Sequence, residues 1–309
     1  MENKKRLVTR SDFDGLVCAM LLREVGLIDD IKFVHPKDVQ DGKVELNEND
    51  ITTNLPYDPR VGMSFDHHAS EMHRLKDKST EGKLIIDPDA KSAARVVYNY
   101  FGGKDRFTKV NDDLMEAVDK GDSADYTMED ILNPKGWVLM NYLMDPRTGL
   151  GRFRNFRISN YDLMMELISY CMEHSIEEIL EHPDVKERVD LYFEETEQFK
   201  KQLRRIAKVY DKVVVLDLRS EEVIHAGNRF MIYALYPETQ ISVHVAWGFK
   251  KQNTAVMIGK SIVNKGSTVN IGALCLQYGG GGHHNAGTCQ LDNDIVDAEL
   301  PNIIEALNA

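Results

Sequence analysis

Apolar residues in the first half of the chain fall into short runs separated by polar turns. "RLVT", "IKFVH", "DITTN" and "MSFD" predict four short strands, while Gly15 to Val25 is apolar nearly throughout and predicts a buried helix. Further helical patterns cover Ser92 to Phe101 and Val110 to Asp119. Strands alternating with helices predict a mostly parallel sheet covered on both faces, in which ligands collect at the carboxyl ends of the strands.

From "NPKGWVLMNYLMD" to "EHSIEEILEH" the pattern is helical, and a long helix is predicted from Asp184 to about Val209. Its apolar positions, Val185, Val189, Tyr192, Thr196, Phe199, Leu203 and Ile206, follow a heptad and form one narrow seam. The seam reads as a connector lying on a domain, with a homodimer contact as the alternative. Beyond it, "KVVVLDL", "RFMIYALY", "ISVHVAW" and "TAVMIGKS" read as strands, followed by a short helix and the run "GGGGHHNAG". The expected fold is α/β: a parallel-sheet domain over residues 1–183, a connecting helix over 184–210, and a smaller α/β domain over 211–309.

The chain has 309 residues, which favours two cores over one. No apolar run is long enough for a bilayer, and "MENKKRLVT" lacks the apolar block of a secretory signal, so a cytoplasmic protein without a membrane partner is expected. Cys18, Cys171, Cys275 and Cys289 lie scattered in apolar patterns and read as reduced, buried thiols. A net charge of -12 argues against non-specific binding along a duplex, leaving a small anionic ligand in a local positive pocket. Locally basic "DPRTGLGRFRNFRISN" sets Arg147, Arg152, Arg154 and Arg157 among Phe153 and Phe156, a pattern suited to phosphate and base contacts or to salt bridges with acidic helices.

Three clusters carry candidate chemistry. In "SDFDG", Asp12 and Asp14 stand two apart at a strand-to-helix turn. One aspartate suffices to cap a helix, and a second suits a hard divalent cation. In "FDHHAS", Asp66 is placed to orient a neighbouring ring while His67 and His68 project to different sides. In "YGGGGHHNAG", the glycines leave backbone amides open to an anion, and His283 with the small residues Ala286 and Gly287 favours a shaped pocket over a flexible loop.

Together these motifs resemble the DHH family of phosphoesterases, with Asp-x-Asp and Asp-His-His motifs in the first domain and Gly-Gly-Gly-His-x-x-Ala in a DHH-associated second domain. The resemblance implies hydrolysis of phosphodiesters or phosphoanhydrides in a small anionic substrate, such as a short oligonucleotide, cyclic dinucleotide, phosphoadenosine phosphate or polyphosphate. It also implies Mn2+ or Mg2+, one or two per chain, and short single-stranded nucleic acid as a partner class. Carried over residue by residue, Asp12, Asp14, His67 and Asp122 match metal ligands, with Asp119 a close second to Asp122. His68 matches a substrate-facing group and Asp66 a supporting group. Gly280, Gly281, Gly282 and His283 match a substrate loop, Lys260 and Ser261 stand where relatives carry Arg-Ser, and Arg152 represents the basic cluster.

Two positions depart from the family pattern. Arg10 replaces a histidine ligand, and Asn54 replaces the aspartate that bridges both metals, with Asp58 nearby but in the following turn. An arginine has no lone pair to offer a metal. Arg10 is therefore expected to take the first metal's place, pairing with Asp12 or with substrate phosphate. The rival reading is a phosphate-ligand sensor that has lost catalysis.

Overall fold

A computed structural model describes residues 4–76 and 79–309; the first three residues, where the segment read as lacking a secretory block begins, lie outside them. The chain divides into two compact units, residues up to Asp125 with Pro134–Leu191, and Tyr126–Asn133 with Tyr192–Ala309. The long helix Pro183–Ile206 runs from the first into the second. This is the α/β arrangement expected: a parallel-sheet domain, a long helix and a second sheet domain.

The first unit is built on five parallel strands in the order β2-β1-β3-β4-β5: β1 (Lys5–Arg10), β2 (Ile28–Val34), β3 (Asp50–Thr53), β4 (Met63–Asp66) and β5 (Leu84–Ile86). The chain leaves β1 to one side for β2 and returns to its other side for β3. That reversal opens a crevice at the carboxyl ends of β1 and β3, the usual ligand position in such sheets. Helix Phe13–Glu24 is buried from Phe13 to Leu22 because helices Ala93–Tyr100, Asp112–Asp122 and Asn160–Glu173 surround it. Val8 packs with Val39, Leu55 and Val61, and Leu7 on the opposite face is equally buried, so β1 is covered on both sides of its pleat.

Beneath the crevice the strands are tied by hydroxyls. Thr53 Oγ1 donates to Thr9 Oγ1 at 2.7 Å, Thr9 Oγ1 donates to the Thr53 carbonyl at 3.2 Å, and Thr52 Oγ1 donates to Ser64 Oγ at 2.9 Å. All four side chains are buried, which their mutual pairing permits.

The second unit carries a mixed sheet in the order β10-β11-β9-β8-β7-β6: β6 (Ala207–Tyr210), β7 (Val213–Asp217), β8 (Ile241–Trp247), β9 (Thr254–Lys260), β10 (Gly281–His283) and β11 (Ala286–Leu291). Only β7 and β8 pair in parallel. Val213, Val243, Val256, Ile271, Cys289 and Ile303 share its core.

Two expectations change here. "RFMIYALY" is not a strand: Met231–Leu235 is helical, started where Asn228 accepts from the Phe230 and Met231 amides. Short apolar runs are ambiguous by period, and this one is settled by its polar start. The glycine run is an antiparallel hairpin, β10 on β11, rather than a loop. On the long helix, Val185, Tyr192, Thr196 and Leu203 are buried within the chain, so the heptad seam is already covered. All four cysteines are free and buried. Among the described residues no helix is long and apolar enough to cross a membrane.

Candidate active site

The turn from β1 into helix Phe13–Glu24 sets the two aspartates on different partners. Asp12 caps the helix, its Oδ1 accepting from the Gly15 amide at 3.0 Å, while its Oδ2 lies 3.0 Å from Arg10 Nε. Gly15 is required for this turn, since a Cβ there would stand 2.1 Å from the Arg10 carbonyl oxygen. Asp14 is 3% exposed and accepts from Asn54 Nδ2 at 2.7 Å and from the Ala94 amide at 2.8 Å. Ala94 lies in the first turn of helix Ala93–Tyr100, where unpaired amides favour a negative group.

At the end of β4, Asp66 is buried and its Oδ1 accepts from the His67 amide at 2.8 Å and from His68 Nδ1 at 2.7 Å. The aspartate thus orients His68. The ring orientation of His67, the expected metal ligand, comes instead from the Ala90 carbonyl, 3.2 Å from Nδ1. A neutral His67 that donates from Nδ1 presents a lone pair at Nε2.

His67 Nε2 lies 2.8 Å from Asp122 Oδ2 without the alignment of a hydrogen bond, and it is buried without any hydrogen-bond partner. Two lone-pair atoms aimed past one another at that distance fit a shared cation. Asp66 Oδ2 and Asn54 Oδ1 are likewise buried and without hydrogen-bond partners. Asn54 adopts a left-handed backbone, φ 53°, unusual for a buried non-glycine residue.

The charged groups around this turn act strongly on one another. Burial, then the neighbouring Asp122 and Asp12, push the Asp14 carboxyl well above the carboxylate range. Burial also raises Asp12, opposed by Arg10. For His67, burial favours the neutral ring, but the Asp122 carboxylate, with Asp14 and Asp66, outweighs it and lifts the pKa to about 9. Asp122 is pushed up by burial and pulled further down by His67, ending below its ordinary value. Carboxylates and an imidazole of this hardness suit Mn2+ or Mg2+. Asp66, His67 and His68 offer ligand atoms within 4.8 Å of one another; Asp14 and Asp122 are not in that group and act on His67 through their charge.

The basic and acidic neighbours sort themselves. Asp119 is held by Arg95 at 2.7 Å and accepts from Ser92 Oγ at 2.7 Å, so it serves the helix junction while Asp122 faces His67. Asp58 pairs with Arg60. Arg157 pairs with Asp184, and Arg152 is exposed and folds over Gly149. Arg147 is the member of the basic cluster whose charge is felt by the site: it pairs with Asp145 through Nε at 2.7 Å and is influenced by Asp12 and Asp122.

In the second unit the glycines have packing reasons. A Cβ at Gly280 would fall 2.1 Å from the Thr288 carbonyl, and one at Gly282, φ 155°, would fall 2.3 Å from the Ala286 carbonyl. Gly281 has open space. Lys260 Nζ donates to the Ser267 carbonyl at 3.0 Å and lies 2.9 Å from His284 Nε2. Ser261 is buried and accepts from the Val263 and Asn264 amides, a turn-capping role. His283 is exposed on β10.

No protein-family model matches the chain, and no curated protein does. Among solved structures, the pGpG-specific phosphodiesterase PggH from Vibrio cholerae is 54% identical, with a TM-score of 0.81, covering 98% of this chain and 99% of that one. The chain belongs to the DHH family of phosphoesterases. RecJ from Thermus thermophilus, in complex with Mn2+, is 15% identical with a TM-score of 0.48 and covers 99% of this chain and 52% of that one.

As a DHH phosphoesterase this chain is a metal-dependent enzyme. Reading the sequence alone missed three contributors: the Ala90 carbonyl behind His67, the Ala94 amide on Asp14, and the placement of Arg147. The first two are backbone groups and leave no trace in side-chain identity. Arg147 was visible as one of four arginines, but only tertiary placement separates it from Arg152.

Proposed function

We propose that this DHH phosphoesterase hydrolyses the phosphodiester of a short linear dinucleotide of the pGpG type, using Mn2+ or Mg2+ in the first unit. The observation that carries the substrate is the 54% identity, over nearly the whole of both chains, to a protein described as a pGpG-specific phosphodiesterase. Asp14, His67 and Asp122 would hold the ion, with Asp12 beside them. When bound, such an ion polarises phosphoryl oxygens and lowers the pKa of water to supply a nucleophile.

Protein groups do the rest. Asp66 fixes the His68 ring through Nδ1, so proton delivery to the leaving oxygen falls to Nε2. Arg10 and Arg147 supply fixed positive charge for the charge developing on phosphorus. Neither arginine donates from its terminal nitrogens to a protein acceptor among the described residues, which suits them to phosphate oxygens. In the second unit, the backbone at Gly281, together with His283 and Lys260, is assigned to anion contact.

The test offers Mn2+-loaded protein pGpG, pApA, a longer oligonucleotide and polyphosphate, and separates the products by ion-exchange chromatography. Preferential conversion of pGpG to GMP is expected. Preference for polyphosphate or the longer strand, or binding of pGpG without turnover, would sink the reading.

A further inference from the structure

We propose that this active site is built for a single divalent ion, with the Arg10 guanidinium standing as a permanent second cation. The inference rests on the assignment of Asp14, His67 and Asp122 as ligands, and concerns how many ions that site takes.

On the Asp12 side a cation is already supplied by the chain: the Arg10 guanidinium stands 3.0 Å from Asp12 Oδ2, while Asp12 Oδ1 accepts from the Gly15 amide. An arginine stays protonated and has no lone pair, so it takes the place of a cation without being able to ligate one.

Asn54 points the same way. Its amide nitrogen donates to Asp14 Oδ2 at 2.7 Å, so the hydrogen, not a lone pair, faces that carboxylate. This orientation is the one an ionised Asp14 requires, since a carboxylate can only accept. Asn54 therefore presents an uncharged oxygen where a second ion would need a carboxylate. With Asp12 occupied by capping Gly15 and pairing with Arg10, no pair of free anionic ligands remains for a second ion on that side.

The experiment titrates chelator-stripped protein with MnCl2 by calorimetry and records the EPR spectrum of the loaded sample. Wild type should take one tightly held ion per chain and give the hyperfine pattern of an isolated Mn2+. Asp12→Asn, which keeps the helix cap, should keep that stoichiometry with affinity changed by less than about tenfold. The double variant Arg10→His, Asn54→Asp should take two ions and show a coupled pair.

Two ions in wild type, or an Asp12→Asn protein that loses an ion, would overturn the single-ion proposal. So would a double variant folded by circular dichroism that still takes one; should that variant not fold, Asp12→Asn decides alone. A different failure is separable: if Asp14→Asn leaves binding intact rather than weakening it by at least about 100-fold, the ligand assignment itself is overturned. Hydrolysis of pGpG by wild type reads the function independently of both.

Discussion

Two glycine-bearing turns, one in each unit, invite comparison. At the β1 turn and the adjoining end of β4, polar atoms are left over: Asp66 Oδ2, Asn54 Oδ1 and His67 Nε2 are buried without hydrogen-bond partners, and neighbouring carboxylates strain one another's protonation. At the β10–β11 hairpin, the glycines are explained by backbone approach, and Ser261 is satisfied by a turn. Both turns look equally motif-like in sequence. Three such atoms converging on one crevice point to chemistry, whereas glycines first of all mark geometry.

The largest expected break in this comparison comes from Asp14→Asn. Hydrolysis of pGpG should fall by at least about 10³-fold, as loss of electrostatic stabilisation at a reaction centre does. The metal-free protein should at the same time melt higher by roughly 2–4 °C, because a buried, mutually repelling carboxylate is gone. Differential scanning calorimetry beside the activity assay reads both. A variant that loses activity and stability together would make Asp14 an ordinary structural residue.

His68→Ala should lower kcat by about 10²-fold or more with little change in Mn2+ affinity, consistent with a proton donor. A parallel loss of metal binding would move it among the ligands. Arg147→Ala should raise KM for pGpG by roughly 10- to 100-fold, the value of charge-assisted contacts to phosphate. Arg152→Ala serves as the control and should change KM far less.

The hairpin is sharpened by its own pair. Gly282→Ala should destabilise the protein by roughly 1–3 kcal/mol in urea unfolding, while Gly281→Ala should stay within about 0.5 kcal/mol. If Gly281→Ala leaves stability alone yet weakens substrate binding, the hairpin has chemistry of its own.

The smallest effect concerns His244 on β8 of the second unit. Burial, helped by Arg229, holds its pKa down at about 4. The unfolded chain binds that proton near 6.5, so stability is full above 6.5 and is lost as pH falls toward 4. Between pH 6.5 and about 5 the loss should be on the order of 1 kcal/mol, and His244→Gln should flatten that slope in thermal melts.

The sequence made Asp12, Asp14, His67 and His68 legible because each pair sits on one short segment whose backbone course is predictable. Asp119 and Asp122 were harder to separate. They lie about one helical turn apart on the same face, and only Arg95 and Ser92, brought from another helix, claim Asp119. The "RFMIYALY" run misled because its apolar residues fit either period, and the glycine run, though legible as a shaped segment, hid its strand pairing because open backbone and close packing ask for the same residue. The aspartate beside the histidines was legible as a support, but which ring it supports depends on backbone geometry.

The threonine hydroxyls that clasp β1 to β3 have a consequence for timing. Since Thr9 and Thr53 hold each other with or without anything above them, the arms bearing Asp12, Asp14 and Asn54 keep their separation from the moment the sheet forms. Cargo that enters meets a socket already cast, and what changes on arrival is where protons and charge reside, not the course of the chain.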